Sequence, residues 1–238
     1  MRNNPIGVFD SGAGGLNVLR ECRQLLPDEK YIYLADTANM PYGTKPPEQI
    51  KRAACGCCAT LFSMNCKAVV IACNTATVTA IDDIRALYST RVVVGLEPAV
   101  KPCFRELGKK EYAVALVTEA TYRSDKFARL IQTCDRRIIP VAQPFLAKLI
   151  EDNVDSIDRI EHEVFDILSP YRDAGAVVLG CSHYTYIVPL IKKFYAGGIK
   201  IYDGAAGAAA RLRYCLELSS GLSQDKNGGS VRFIKTRK

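Results

Sequence analysis

Short apolar runs recur along the chain, each followed by a stretch with helical spacing. They are Ile6–Phe9, Tyr31–Ala35, Ala68–Ala72, Val92–Gly95, Tyr112–Val117, Arg137–Val141, Ala176–Gly180 and Lys200–Tyr202. Several are continuous rather than alternating, as in Val69-Val70-Ile71 and Val177-Val178-Leu179. Strands covered by helices on both faces have this pattern, so the runs predict parallel sheets. Between the runs, Leu16, Leu19, Arg20, Arg23 and Leu26 fit one helix. Ile81, Ile84, Arg85 and Tyr88 fit another, and Ile187, Leu190, Ile191 and Phe194 a third. Glu48 to Met64 also reads as a helix. Strand alternating with helix defines an α/β fold built of βαβ units.

The chain also resembles itself. Val69-Val70-Ile71-Ala72-Cys73-Asn74-Thr75 matches Val177-Val178-Leu179-Gly180-Cys181-Ser182-His183. Each segment is a buried strand, a small residue, a Cys, then a polar pair opening a helix. One such pairing points to two similar α/β domains, each presenting one Cys.

In parallel sheets, ligands bind beyond the carboxyl ends of the strands. The residues just past the runs are therefore the candidate site. They are Asp10-Ser11-Gly12-Ala13-Gly14-Gly15, Asp36-Thr37 with a loop to Pro41-Tyr42-Gly43, Cys73-Asn74-Thr75, Thr118, and Cys181-Ser182-His183. Small and polar residues at helix starts leave backbone N–H groups free for an anion. The Gly-rich turn fits neither the Walker loop nor GxGxxG. It reads as a plain tight turn, or as one that brings backbone close to a carboxylate. A lone Cys at a strand end is ordinarily inert packing. Two in matching positions, each at a helix N-terminus, could take a proton from one face of a ligand and return one to the other. Asp10 and His183 are natural assistants. His162, between Glu161 and Glu163, reads as a solvated surface residue.

Composition narrows the class without setting the function. With 48% hydrophobic and 24% charged residues, collagen-like and disordered classes drop out. The count of two His, His162 and His183, argues against a His-rich zinc hydrolase. Ten Cys with no apolar leader behind Met1 predict free thiols in a reducing cytoplasm. Cys55-Gly56-Cys57-Cys58 lacks a second CxxC or a His pair, so it reads as core packing rather than metal. No run is long enough to span a membrane. The net charge of +7, with Lys226, Arg232, Lys235, Arg237 and Lys238 near the end, raises nucleic-acid binding as a rival. No recognised motif accompanies that tail, so it is expected to be a solvated end and no nucleic-acid partner is expected.

With these residues in view, the chain resembles the glutamate racemases of the cofactor-independent aspartate/glutamate racemase superfamily. The matching segments are Ile6 to Leu16, Asp36-Thr37-Ala38, Pro41-Tyr42-Gly43, Ala72 to Ala76 and Gly95 to Ala99. Thr118, Ala120, Thr121 and Ser124, Pro144 to Glu151, Gly180 to Tyr184 and Asp203 to Ala206 continue the series. The resemblance runs from about Pro5 to about Phe233. It implies two similar α/β domains, each a mainly parallel sheet flanked by helices, with the site in the cleft between them. The expected division is 1–96 with 207–238, and 97–206. It implies racemisation of L- and D-glutamate without metal or pyridoxal phosphate. By position, Cys73 and Cys181 are the two acid/base thiols. Asp10, Ser11, Tyr42, Gly43, Asn74, Thr75, Thr118, Ser182 and His183 line the substrate. Asp10 and His183, with Glu151, assist proton transfer. A cytoplasmic homodimer and D-glutamate for peptidoglycan also follow from the resemblance.

Three positions depart from the family pattern. Ser182 stands for the usual Thr, Thr185 for a common Pro, and Glu119 adds a negative charge within the threonine-rich stretch. The rival enzyme is a sister racemase acting on aspartate or another acidic amino acid, in which pocket size decides.

Overall fold

A computed structural model describes residues 2–225 and 229–237. Nine strands and ten α-helices alternate through most of them. The order is β1 (Ile6–Asp10), α1 (Leu16–Leu25), β2 (Tyr31–Ala35), α2 (Pro47–Ser63), β3 (Ala68–Ile71), α3 (Asn74–Leu87), β4 (Val92–Gly95) and α4 (Val100–Glu106). Then come β5 (Ala113–Val117), α5 (Glu119–Tyr122), α6 (Asp125–Gln132), β6 (Ile138–Ala142), α7 (Leu146–Asp152) and α8 (Glu161–Leu168). The chain continues through β7 (Ala176–Gly180), α9 (Val188–Phe194), β8 (Lys200–Tyr202), α10 (Ala205–Leu218) and β9 (Val231–Lys235).

The strands form two sheets, ordered β4-β3-β1-β2-β9 and β6-β5-β7-β8. Every pairing in both is parallel. This is the two-domain α/β architecture that the continuous apolar runs predict. The central strands β1, β3, β5 and β7 are buried along their whole length, because each sheet is covered on both faces. In the first sheet, Val8, Tyr33 and Val70 pack with Val18 and Leu19 of α1 and Leu212 of α10. On its other face, Phe9, Val69 and Ile71 meet Ile50 and Leu61 of α2 and Ile84 of α3. The second sheet is covered likewise, by α7, α8 and α9 on one face and by α4 and α6 on the other.

The eight predicted runs all become strands, with ends shifted by no more than a residue or two. The charged residues of the tail, Arg232, Lys235 and Arg237, are exposed as expected, but 231–235 also forms β9, an unforeseen strand that pairs with β2, with Val231 opposite Tyr31 and Lys235 opposite Ala35. Arg232 and Lys235 hide the pattern because β9 is an edge strand with an open side, where charged residues and the 62% exposed Phe233 are tolerated. Lys226 and Lys238 lie outside the described residues. His162 is on the surface, 3.0 Å from Asp166. Cys57, Cys58 and Cys66 are buried in the apolar layer under α2. No helix among the described residues is long and apolar enough to cross a membrane.

The sheet orders decide where a ligand site can form. In the first sheet the chain leaves β1 towards β2 on one side and β3 on the other. In the second it leaves β5 towards β6 and then β7 in the same manner. Helices diverge at such switch points, and a crevice opens beyond the strand ends. Asp10 ends β1, Cys73 follows β3, Thr118 follows β5 and Cys181 follows β7.

Candidate active site

The two switch points face one another, so residues far apart in the chain share one buried cluster. Ser182 donates its hydroxyl hydrogen to Asp10 Oδ1 at 2.8 Å, and Gly12 N–H donates to Asp10 Oδ2 at 2.9 Å. Asp10 is fully buried. Burial raises its carboxyl pKa, against the lowering effects of the His183 charge and of the Gly12 and Ser182 hydrogen bonds. The turn after β1 must pass very close to the other sheet. A Cβ on Gly14 would lie 2.6 Å from both the His183 backbone nitrogen and Ser182 Oγ. That approach, rather than a special φ, explains the glycine.

The two matching thiols sit in different surroundings. Cys73 caps α3, where its Sγ accepts from Ala76 N–H at 3.5 Å, and it donates to Ser11 Oγ at 3.7 Å. Burial pushes the Cys73 thiol well above its usual range and the Asp10 charge adds to this, while the Ala76 N–H opposes them. Cys181 precedes a 3₁₀ turn over Ser182–Ile187 instead of an α-helix, and makes no cap hydrogen bond. Its side chain is close enough to His183 to influence that imidazole. Both thiols are nearly covered, at 4% and 6% exposed.

His183 links this group to α7. Its Nε2 lies 2.6 Å from Glu151 Oε2, which also accepts from Ala13 N–H at 3.4 Å. Burial works against a charged His183, but the neighbouring Cys181 and Glu151 side chains outweigh it and raise the imidazole well above its usual value. The same contact lowers the Glu151 carboxyl. The imidazole thus lies between the Glu151 carboxylate on Nε2 and Ser182 Oγ, 3.4 Å from Nδ1.

On the other wall, Thr75 and Thr118 share a hydroxyl–hydroxyl hydrogen bond at 2.8 Å, and Thr118 Oγ1 caps α5 through Thr121 N–H. Asn74 donates to Leu96 O at 3.1 Å, while its buried Oδ1 has no partner. Gly43 packs on Thr118 and its carbonyl accepts from Ala120 N–H at 2.9 Å. Tyr42 donates its phenol hydrogen to Asp36 Oδ2 at 2.6 Å. The backbone N–H groups of Tyr42 and Gly43 donate to no acceptor among the described residues. Glu119 pairs with Arg123 on the outside, away from the thiols.

All twelve residues singled out in the sequence thus lie in or against one cluster. Two more were missed. Asp36 was noted only as part of a motif, and Thr236, in the charged tail, carried no signal at all. Among the described residues there is no group of three or more His, Cys, Asp or Glu placed to hold a metal.

Two nearly buried thiols thus lie beyond the carboxyl ends of β3 and β7, with Asp10, Ser182 and His183 in the same cluster. The chain belongs to the Asp/Glu/hydantoin racemase family, whose pattern matches residues 6–212. It is therefore an isomerase, an amino-acid racemase. It is 35% identical over 240 residues to glutamate racemase of Clostridium perfringens, covering 99% of this chain and 92% of that protein. It is 38% identical over 236 residues to glutamate racemase of Clostridium novyi, covering 98% and 91%. The crystal structure of Francisella tularensis glutamate racemase in complex with D-glutamate superposes with a TM-score of 0.84 at 29% identity, covering 100% of this chain and 90% of that one.

Proposed function

We propose that this racemase interconverts L- and D-glutamate by passing the α-proton between two thiols, Cys73 on one face of the substrate and Cys181 on the other. The observation that carries this reading is the pair itself. Two Cys end equivalent strands of facing sheets, and each has a different proton-handling neighbour, Asp10 for Cys73 and His183 for Cys181. In each direction one Cys, as thiolate, removes the α-proton, and the opposite thiol delivers a proton to the other face. The first Cys ends as thiol and the second as thiolate, so the roles swap for the reverse reaction. Burial favours the protonated form of Cys73.

An α-proton is a very weak acid, so the carbanion-like state needs fixed donors in a dry site. The Ser11 hydroxyl and the first N–H groups of α3 serve the α-carboxylate, while the Ser182 and Thr75 hydroxyls hold Asp10 and Thr118 in place beside it. The undonated N–H groups of Tyr42 and Gly43 suit the side-chain carboxylate. Asn74 Oδ1, a buried acceptor without a partner, suits the substrate ammonium. The cavity beside Cys181, Asn74 and Gly204 is only about 10 Å³, hardly one water molecule.

Glutamate is favoured over aspartate because the curated relatives covering the whole chain are glutamate racemases. The family resemblance carries a cytoplasmic homodimer supplying D-glutamate for peptidoglycan. It also carries the division into 1–96 with 207–238 and 97–206. The direct test is deuterium wash-in at the α-carbon in heavy water with no cofactor added, run on glutamate and aspartate. Glutamate should exchange and racemise, and Cys73→Ser and Cys181→Ser should each cost at least about 10²-fold, the usual range for a positioned acid or base. Racemisation undiminished in both variants rejects the mechanism, and preference for aspartate rejects the substrate.

A further inference from the structure

Asp36 follows β2 and its side chain is buried, with no cation within ion-pair distance among the described residues. Its carboxylate is held by neutral donors instead. Tyr42 Oη donates at 2.6 Å, Asn39 Nδ2 lies 3.1 and 3.0 Å from the two oxygens, and Thr236 Oγ1 donates at 2.7 Å. A buried acceptor has no water to replace a lost donor, so each of these three side chains counts.

Thr236 is the unexpected member. It follows β9, and every polar atom it has is fastened to the end of β2 or to the loop after it. Its hydroxyl accepts from Ala38 N–H at 3.0 Å while donating to Asp36. Its carbonyl accepts from Thr37 Oγ1 at 2.9 Å, and its N–H donates to Ala35 O at 3.0 Å. That loop runs on to Tyr42 and Gly43. The tyrosine hydroxyl is engaged by Asp36, which anchors the ring in the layer that holds Phe9 and Cys73, and the N–H groups of Tyr42 and Gly43 donate to no acceptor among the described residues. Gly43 is fixed from the second sheet through Thr118 and Ala120.

We infer that Thr236 is a positioning residue for the substrate: through Asp36 it sets the Tyr42–Gly43 amides that receive the side-chain carboxylate. This rests on the substrate reading above. Thr236 touches no reacting atom, so its loss should weaken binding more than chemistry.

The test is Thr236→Val, which keeps the shape and removes the hydroxyl, with Thr236→Ser as the conservative variant. In Thr236→Val, KM for glutamate should rise about tenfold, the size of losing one hydrogen bond to a buried charge, with kcat changed less than about twofold. Thr236→Ser should return KM to the wild-type value. Thr236→Ala replaces Thr236→Val if the latter does not fold. Amide hydrogen exchange of residues 37–43 is followed in parallel and should accelerate in the hydroxyl-free variants only. An unchanged KM, or no rescue by Ser, overturns the inference. If the wild-type protein leaves glutamate untouched, the substrate reading fails by itself. Exchange of 37–43 then decides the positioning role, and equal rates in wild type and Thr236→Val overturn it.

Discussion

Ser182 Oγ and Asp10 Oδ1, 2.8 Å apart, join the second sheet to the first at the centre of the site. The bond stabilises a carboxylate that burial works to protonate. Ser182→Ala removes it and pushes the Asp10 carboxyl further up, so a higher pH is needed to ionise it. The acid limb of the kcat/KM profile should therefore move to higher pH, with a loss of about tenfold at neutral pH from one charge-assisted hydrogen bond. Ser182→Thr keeps the hydroxyl and should keep the profile. A profile in Ser182→Ala that superposes on wild type would show that Asp10 does not depend on this contact.

Glu151 and His183 stabilise one another's charged forms, and the pair defines a pH window. His183 has a raised folded pKa, so its contribution is complete below the unfolded value of about 6.5 and is lost as pH rises through the folded value. Glu151 has a lowered folded pKa, so its contribution is present above the unfolded value of about 4.3 and is lost as pH falls through the folded one. Both hold near neutral pH. Glu151→Gln should lower stability by about 1–3 kcal/mol there, since Glu151 is only partly buried. The difference should shrink once pH falls below the usual carboxylate range. Thermal melts of both proteins from pH 3 to 8 check this, and a difference independent of pH counts against a charged pair.

The fold was legible because both sheets are parallel and doubly covered. Val69-Val70-Ile71 and Val177-Val178-Leu179 must be apolar on every side, and that pattern admits few other readings. The cluster was legible for a related reason. Switch points place Asp10, Cys73, Thr118 and Cys181 at strand ends, and strand ends can be counted along a chain. β9 was not legible, because an edge strand needs one apolar side at most and 231–235 carries Arg232 and Lys235. Thr236 was lost with it, since only pairing with β2 brings it to Asp36. The contrast between the two thiols was equally hidden. It depends on whether the next turn is the α-helix after Cys73 or the 3₁₀ turn after Cys181, and on contacts made across the cleft.

Gly14 tests how closely the sheets must meet. A methyl group there would overlap the His183 backbone and Ser182 Oγ, and backbone cannot step aside as a flexible side chain can. Gly14→Ala should force the second sheet away and lengthen the contacts around His183 and Asp10. Misplacement of this kind costs about 10²-fold in rate even when the chemical groups remain. Deuterium wash-in should fall by that factor while the far-ultraviolet circular dichroism stays unchanged. Full activity in Gly14→Ala would mean that the closed contact is not needed for turnover.

Lys67 and Glu29 form a buried ion pair that also holds the 221–223 segment. Lys67 Nζ is 2.5 Å from Glu29 Oε2, with both side chains almost wholly buried. Lys67 also donates to Gly221 O at 2.8 Å, and Glu29 Oε1 accepts from Ser223 N–H at 2.9 Å. Burial lowers the Lys67 pKa and the Glu29 carboxylate works against that, so each charge depends on the other. Lys67→Met should therefore cost about 3–5 kcal/mol by leaving Glu29 buried and unpaired. The double variant Lys67→Met, Glu29→Leu should recover a large part of this, because no charge is then stranded. Urea denaturation of the four proteins of the cycle measures the coupling. Additive losses would show that the pair is not coupled. Loosening of the 221–223 segment should also carry forward to the strand it precedes, so amide exchange in 231–235 should quicken in Lys67→Met and return towards wild type in the double variant.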